Sequence, residues 1–156
     1  MDTERLRRWT IGWKRSLACA GTFGAIVLAA CGGDASGPDV SKTPVGSYII
    51  STLNGKPLPA ALFSETDYTL EVTSGSLVLT TDGKYSTVTT TRQTVPGNVS
   101  IFVDSTGGAW VLSGSQVQFT DGQDGSKLSA AWGNGQLTFS ETDGGVTTTL
   151  VYAKKS

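Results

Sequence analysis

Few side chains in this chain of 156 residues could do covalent or acid–base chemistry. Histidine is missing altogether, which removes the commonest general base and the commonest metal ligand. There are two cysteines: Cys19 lies inside an apolar run, and Cys31 follows Leu28-Ala29-Ala30 and precedes Gly32-Gly33. Beyond Cys31 no thiol remains for a disulfide. Glu65, Asp67 and Glu71 are close enough in sequence to suggest a carboxylate pair, but they flank a loop and a strand start and read as solvated surface. Asp121-Gly122-Gln123-Asp124-Gly125 combines carboxylates with turn glycines, as calcium loops do, yet lacks the alternating ligand spacing and the distant bidentate glutamate of an EF-hand. A plain inter-strand loop without metal is expected there. This inventory excludes the usual catalytic triads, and neither enzymatic activity nor a cofactor is expected.

The elements that place Cys31 are easily read. Arg5, Arg7, Arg8, Lys14 and Arg15 precede an apolar run from Leu17 to Ala30, and small residues lead up to the cysteine. As a helix that run spans about 21 Å, short of a roughly 30 Å hydrocarbon core. A positive segment, a short apolar segment and small residues before a cleavage point form an export signal. With Cys31 at that point, the segment resembles a bacterial lipoprotein signal with its lipobox. The resemblance implies cleavage before Cys31 and acylation of its thiol with fatty-acyl chains such as palmitate. Each buried CH₂ adds about 0.8 kcal/mol of membrane affinity, so two or three chains hold the protein stably on a membrane. Asp after the acylated cysteine usually marks retention at the inner membrane. Here Gly32 follows, so the periplasmic face of the outer membrane is expected if the cell has two membranes.

Residues 1–30 thus read as a signal peptide, 31–43 as lipidated Cys31 plus a flexible tether, and 44–156 as the folded domain. The tether, rich in Gly, Ser and Asp, reaches on the order of 20 Å. From Cys31 onward the chain has seven Lys/Arg against eleven Asp/Glu, a net charge of −4, with Arg92 as its sole arginine. That balance argues against nucleic acid as a partner.

From Gly46 onward the sequence consists of short segments rich in Val, Thr, Tyr, Leu and Phe, broken by Gly and Asp-Gly. Strands are predicted at Tyr48–Leu53, Tyr68–Thr73, Ser76–Thr81, Lys84–Gln93 and Val99–Asp104. Others follow at Ala109–Ser113, Gln116–Thr120, Lys127–Trp132, Gln136–Ser140 and Val146–Ala153. A turn or two around Ala60–Ser64 is the one candidate for helix. Ser74-Gly75, Asp82-Gly83, Ser113-Gly114 and Asn134-Gly135 are the clearest hairpin signals. Alternation puts Leu70 with Val72, Leu77 with Leu79, Trp110 with Leu112, Val117 with Phe119 and Leu137 with Phe139 on a buried face. The opposite, Thr/Ser-rich face is expected outside. The prediction is an all-β, antiparallel up-and-down barrel of about eight to ten strands.

Gly46-Ser47-Tyr48-Ile49-Ile50-Ser51-Thr52-Leu53-Asn54-Gly55-Lys56-Pro57-Leu58-Pro59, the stretch Ser76-Leu77-Val78-Leu79-Thr80-Thr81-Asp82-Gly83-Lys84-Tyr85 and Gly108-Ala109-Trp110-Val111-Leu112-Ser113-Gly114 resemble lipocalin-like bacterial lipoproteins. Val117-Gln118-Phe119-Thr120 and Leu150-Val151-Tyr152-Ala153-Lys154 extend the resemblance over nearly all of 44–155. It implies a small barrel, in some members with a ligand cavity. Tyr48, Tyr85, Trp110, Phe119 and Trp132 are the aromatics that would line such a cavity or, more simply, fill the core. Two functions stay open: a membrane-anchored module holding a small apolar ligand, or a solid barrel that meets an envelope protein, whose identity the sequence does not give. A cavity near 300 Å³ or larger separates the first from the second. For the anchor itself, Cys31→Ser should abolish incorporation of a labelled fatty acid and leave an uncleaved or mislocalised precursor. Equal label in both proteins would refute the lipoprotein reading.

Overall fold

The computed structural model describes residues 43–155; Cys31, the signal segment and the tether up to residue 42 lie outside the described residues. No helix occurs among the described residues. Ten strands follow one another: β1 (Gly46–Leu53), β2 (Lys56–Pro57), β3 (Ala60–Glu65), β4 (Tyr68–Leu79) and β5 (Lys84–Val95). Then come β6 (Asn98–Ser113), β7 (Gln116–Asp121), β8 (Lys127–Gly133), β9 (Gln136–Asp143) and β10 (Val146–Lys154). Each of β4 to β10 pairs antiparallel with its sequence neighbour, so the meander is up-and-down throughout. β1 closes it by pairing with β10 on one side and, through Gly46–Ile49, with β4 on the other. The result is a closed eight-stranded barrel, with β2 and β3 as additional short strands beside β1 and β4.

Turn chemistry sets this register. Asn54-Gly55 and Asn134-Gly135 each place two consecutive residues at positive φ, the type I′ geometry that suits the twist of a two-residue hairpin. The chain's entry is tied down at the end of the Asn134-Gly135 turn: the Lys154 ammonium donates to the Thr43 carbonyl at 3.3 Å, and the Tyr48 hydroxyl donates to the Pro44 carbonyl. On the outer face Arg92 donates to Glu71 through both Nε and Nη2, at 2.9 and 2.6 Å, between register partners of β4 and β5.

Three expectations from the sequence are corrected. Ser74-Gly75 is not a hairpin: Tyr68–Leu79 is one strand, with its pairing to β5 irregular between Val72 and Ser74. Glycine stands there because the Ile50 side chain occupies the space a Cβ would need. Likewise Val99–Asp104 and Ala109–Ser113 are parts of one strand, β6. Gly107 and Gly108 do not break it; they let the backbones of Tyr85, Thr120 and Gly122 approach closely. Ala60–Ser64 is extended, not helical, because pairing with β4 outweighs the local preference of Ala-Ala-Leu.

The core follows the alternation. Tyr48, Leu53, Val72, Leu77, Leu79, Val117, Ala130 and Leu137 are buried together, and each large apolar side chain contributes about 1.5–3 kcal/mol by leaving water. Leu112 departs from the expected burial and is 42% exposed. It keeps the inward phase of Trp110, but as the penultimate residue of β6 it overhangs the rim at the β6–β7 turn. The glycine contacts give a direct test. Gly108→Ala drives a methyl into the Thr120 carbonyl and the Gly122 amide and should cost about 1–3 kcal/mol in chemical denaturation. Gly133→Ala, with nothing within 4 Å of its Cβ position, should cost less than about 0.5 kcal/mol.

Candidate functional site

Strand direction gives the barrel two unlike ends. One carries the β4–β5, β6–β7 and β8–β9 turns and the start of β1. Tyr48, Val117 and Leu137 fill it, with Trp110 and Trp132 packed against that core. The Trp110 indole N–H donates to the Thr80 carbonyl at 3.1 Å and its backbone N–H to Gly83 at 2.7 Å, which latches the β4–β5 turn over this end. At the other end the strands part. Residues 98–107 of β6 pair with β5 but not with β7, and β8 meets β9 over three residue pairs only.

A cavity of about 360 Å³ lies inside. Its floor is a chain of four rings from four strands: Tyr85 to Phe119 with centroids 5.0 Å apart, Phe119 to Phe139 at 5.4 Å, and Phe139 to Tyr152 at 5.6 Å. Such contacts contribute about 0.5–1.5 kcal/mol each beyond burial, so the floor is fixed rather than fluid. Ile50, Val72, Leu77 and Leu150 complete the apolar wall. The facing wall is polar: Thr87, Thr89 and Thr91 project inward from β5, in phase with Tyr85. Burial raises the pKa of the Tyr152 phenol above the ordinary tyrosine value, and the nearby Thr87 and Thr89 side chains oppose that rise. Thr91 is 4% exposed, and no protein group reaches its hydroxyl within hydrogen-bonding distance. A buried hydroxyl left so costs about 1–3 kcal/mol.

Asp104, Ser105, Thr106, Asp121 and Gln123 border the cavity from β6, the last residue of β7 and the β7–β8 loop. The Thr106 hydroxyl donates to Asp121 Oδ2 at 2.7 Å, while Oδ1 accepts the Gln123 backbone N–H at 2.6 Å. Asp124 Oδ1 accepts the Ser126 N–H at 3.0 Å. The carboxylates that suggested a calcium loop therefore fold the turn upon itself, as Asx residues do. These bonds, the Thr106 one first, hold the Asp121 carboxyl below its usual pKa. Tyr85 is shifted upward by burial and, secondarily, by the Asp121 charge.

Of the five aromatics expected to line a cavity, Tyr85 and Phe119 do, and Tyr48, Trp110 and Trp132 instead belong to the plugged end. The sequence reading missed Phe139, Tyr152 and the threonine row. Strict alternation from Tyr85 through Thr87, Thr89 and Thr91 carried the signal, but a polar face was assigned to the outside. Glu65 and Asp67 are exposed, and Glu71 is engaged by Arg92, so the three carboxylates form no common site. Among the described residues no group of three or more His, Cys, Asp or Glu could hold a metal ion. Comparison with protein-family models finds no matching family, and comparison with curated proteins finds no match.

Asp121 generates a pH prediction. Its folded pKa is lowered, so the stability it supplies is complete above the ordinary carboxylate range near pH 4 and is lost as pH falls through the lowered value. At neutral pH, Asp121→Asn should melt a few degrees below the wild type. The gap should close as pH falls below the ordinary carboxylate range and through the lowered value, where the wild-type carboxyl is itself protonated. An unchanging gap would detach the effect from ionisation.

Proposed function

We propose that this chain is a non-enzymatic, lipid-anchored envelope protein whose lipocalin-like barrel holds a small, largely apolar ligand. The cavity carries this reading: about 360 Å³, walled by four packed rings and aliphatic side chains, with one buried hydroxyl that no protein group satisfies. Ligand sites typically combine such apolar walls with a few placed polar groups, in volumes of roughly 300–1,000 Å³. A side-chain-filled barrel would have favoured the interaction reading instead. The anchor and the outer-membrane address rest on the lipobox around Cys31, and the barrel would stand just off the bilayer on its tether.

A partner-binding role has one observation in its favour. Residues 98–107 of β6 leave their outer backbone edge without a strand partner, and Val99, Ile101 and Val103 stand exposed along one face of it. This surface is compatible with a ligand-holding barrel and does not replace it.

Native mass spectrometry of the protein released from its own envelope should show a bound small molecule. Thr91→Val should keep stability within about 1 kcal/mol, since the two side chains are similar in shape and no protein hydrogen bond is lost. The same change should reduce ligand occupancy. An empty wild-type barrel that also takes up no apolar probe would overturn the binding reading.

A further inference from the structure

The charged groups of the cavity are all of one sign. Asp104 and Asp121 contribute carboxylates to its border, and none of the lining residues is Lys or Arg. The sole arginine of the barrel, Arg92, lies on the outer face in its ion pair with Glu71. Asp104 is the register partner of Thr89 across the β5–β6 pair, and Thr91 is the next inward residue of β5. Sheet geometry places such diagonal neighbours within about 7–8 Å, so one compact head group can address the Thr91 hydroxyl and the Asp104 carboxylate together. Both can accept hydrogen bonds, and an ammonium offers three donors and no acceptor. A carboxylate head would meet two like charges on the border with no cation to offset them.

We propose that the cavity selects amphiphiles with a cationic head, an alkyl ammonium being the simplest, and discriminates against alkyl carboxylates such as free fatty acids. The apolar body lies on the ring floor of Tyr85, Phe119, Phe139 and Tyr152. The head sits between Thr91 and Asp104, with the second carboxylate, Asp121, held ionised by Thr106 and the loop amide of Gln123. This selectivity rests on the proposed ligand-binding role of the cavity and adds the charge of the head group to it.

The test is a calorimetric titration of the full chain in lipid nanodiscs, with empty nanodiscs as blank, using octylamine, octanol and octanoate at neutral pH. Octylamine should bind at least tenfold more tightly than octanoate, with octanol between them. Raised salt should narrow the difference, since charge near an open border is screened. Asp104→Asn, an exposed position, should cut the amine preference severalfold, and Asp104→Lys should reverse it. Binding of all three with octanoate equal to or tighter than octylamine would overturn the head-group selectivity and leave the cavity's role intact. Binding of none above the blank would overturn both.

Discussion

The double pairing of β1 governs the rest of this structure. A meander of antiparallel strands has two open edges, and here one short strand closes both. β1 is 8 residues long and must serve β10 along its length, while offering β4 its first four residues and β2 its last two. Tyr48 sits at that junction, fully buried, with its hydroxyl satisfied by Pro44 at the entry of the chain. β4 and β5 run 12 residues and β6 runs 16. Long strands closed by a short one can be in register at one end only. The end shared with β1 becomes the plug, and beyond it the strands diverge around an open cavity. Closure and cavity thus have one cause.

The same mismatch leaves a surface consequence. The outer half of β6 projects past β7, so its N–H and C=O groups on that side find no strand. Natural sheets blunt such edges with lysine, proline or bulges. Here the outward residues Val99, Ile101 and Val103 are apolar, with Ile101 68% exposed. The neighbouring outward charges of Arg92 and Glu71 neutralise each other. A domain with no disulfide in reach after Cys31 and so bare an edge depends on the barrel core to keep it folded.

Much of the architecture was legible because hairpin chemistry is local. Asn134-Gly135, Asp82-Gly83 and Ser113-Gly114 mark turns through backbone preferences that need no distant partner, and the alternation in β7 and β9 names the core directly. Gly75, Gly107 and Gly108 were misread for the complementary reason. Their role is to admit the Ile50 side chain or a neighbouring backbone, and such an approach leaves no trace in the adjacent residues. The candidate site was half legible for a geometric reason. Period-two patterning tells which face a side chain takes, but not its height along the barrel axis. Trp110 and Trp132 share the inward face with Phe119, yet they stand at the plugged end, while Phe119 floors the cavity.

Height along the axis also explains why threonine lines this interior. β5 must be a good strand over its whole length, which favours β-branched residues, and near the open end its inward face no longer meets a dry core. Threonine satisfies both demands, provided each hydroxyl finds a partner. Tyr152 comes close enough to Thr87 and Thr89 for their side chains to bear on its ionisation. Thr91 lies beyond that reach, beneath the splayed strands, and is left with an unmet bond in a space walled mostly by carbon. Apolar contact with the rings is non-directional and would accept many molecules of suitable size. The unmet hydroxyl is directional, and the neighbouring carboxylates of Asp104 and Asp121 are of one sign. Under the proposed binding role, affinity would reside in the floor of the barrel and selectivity at its border.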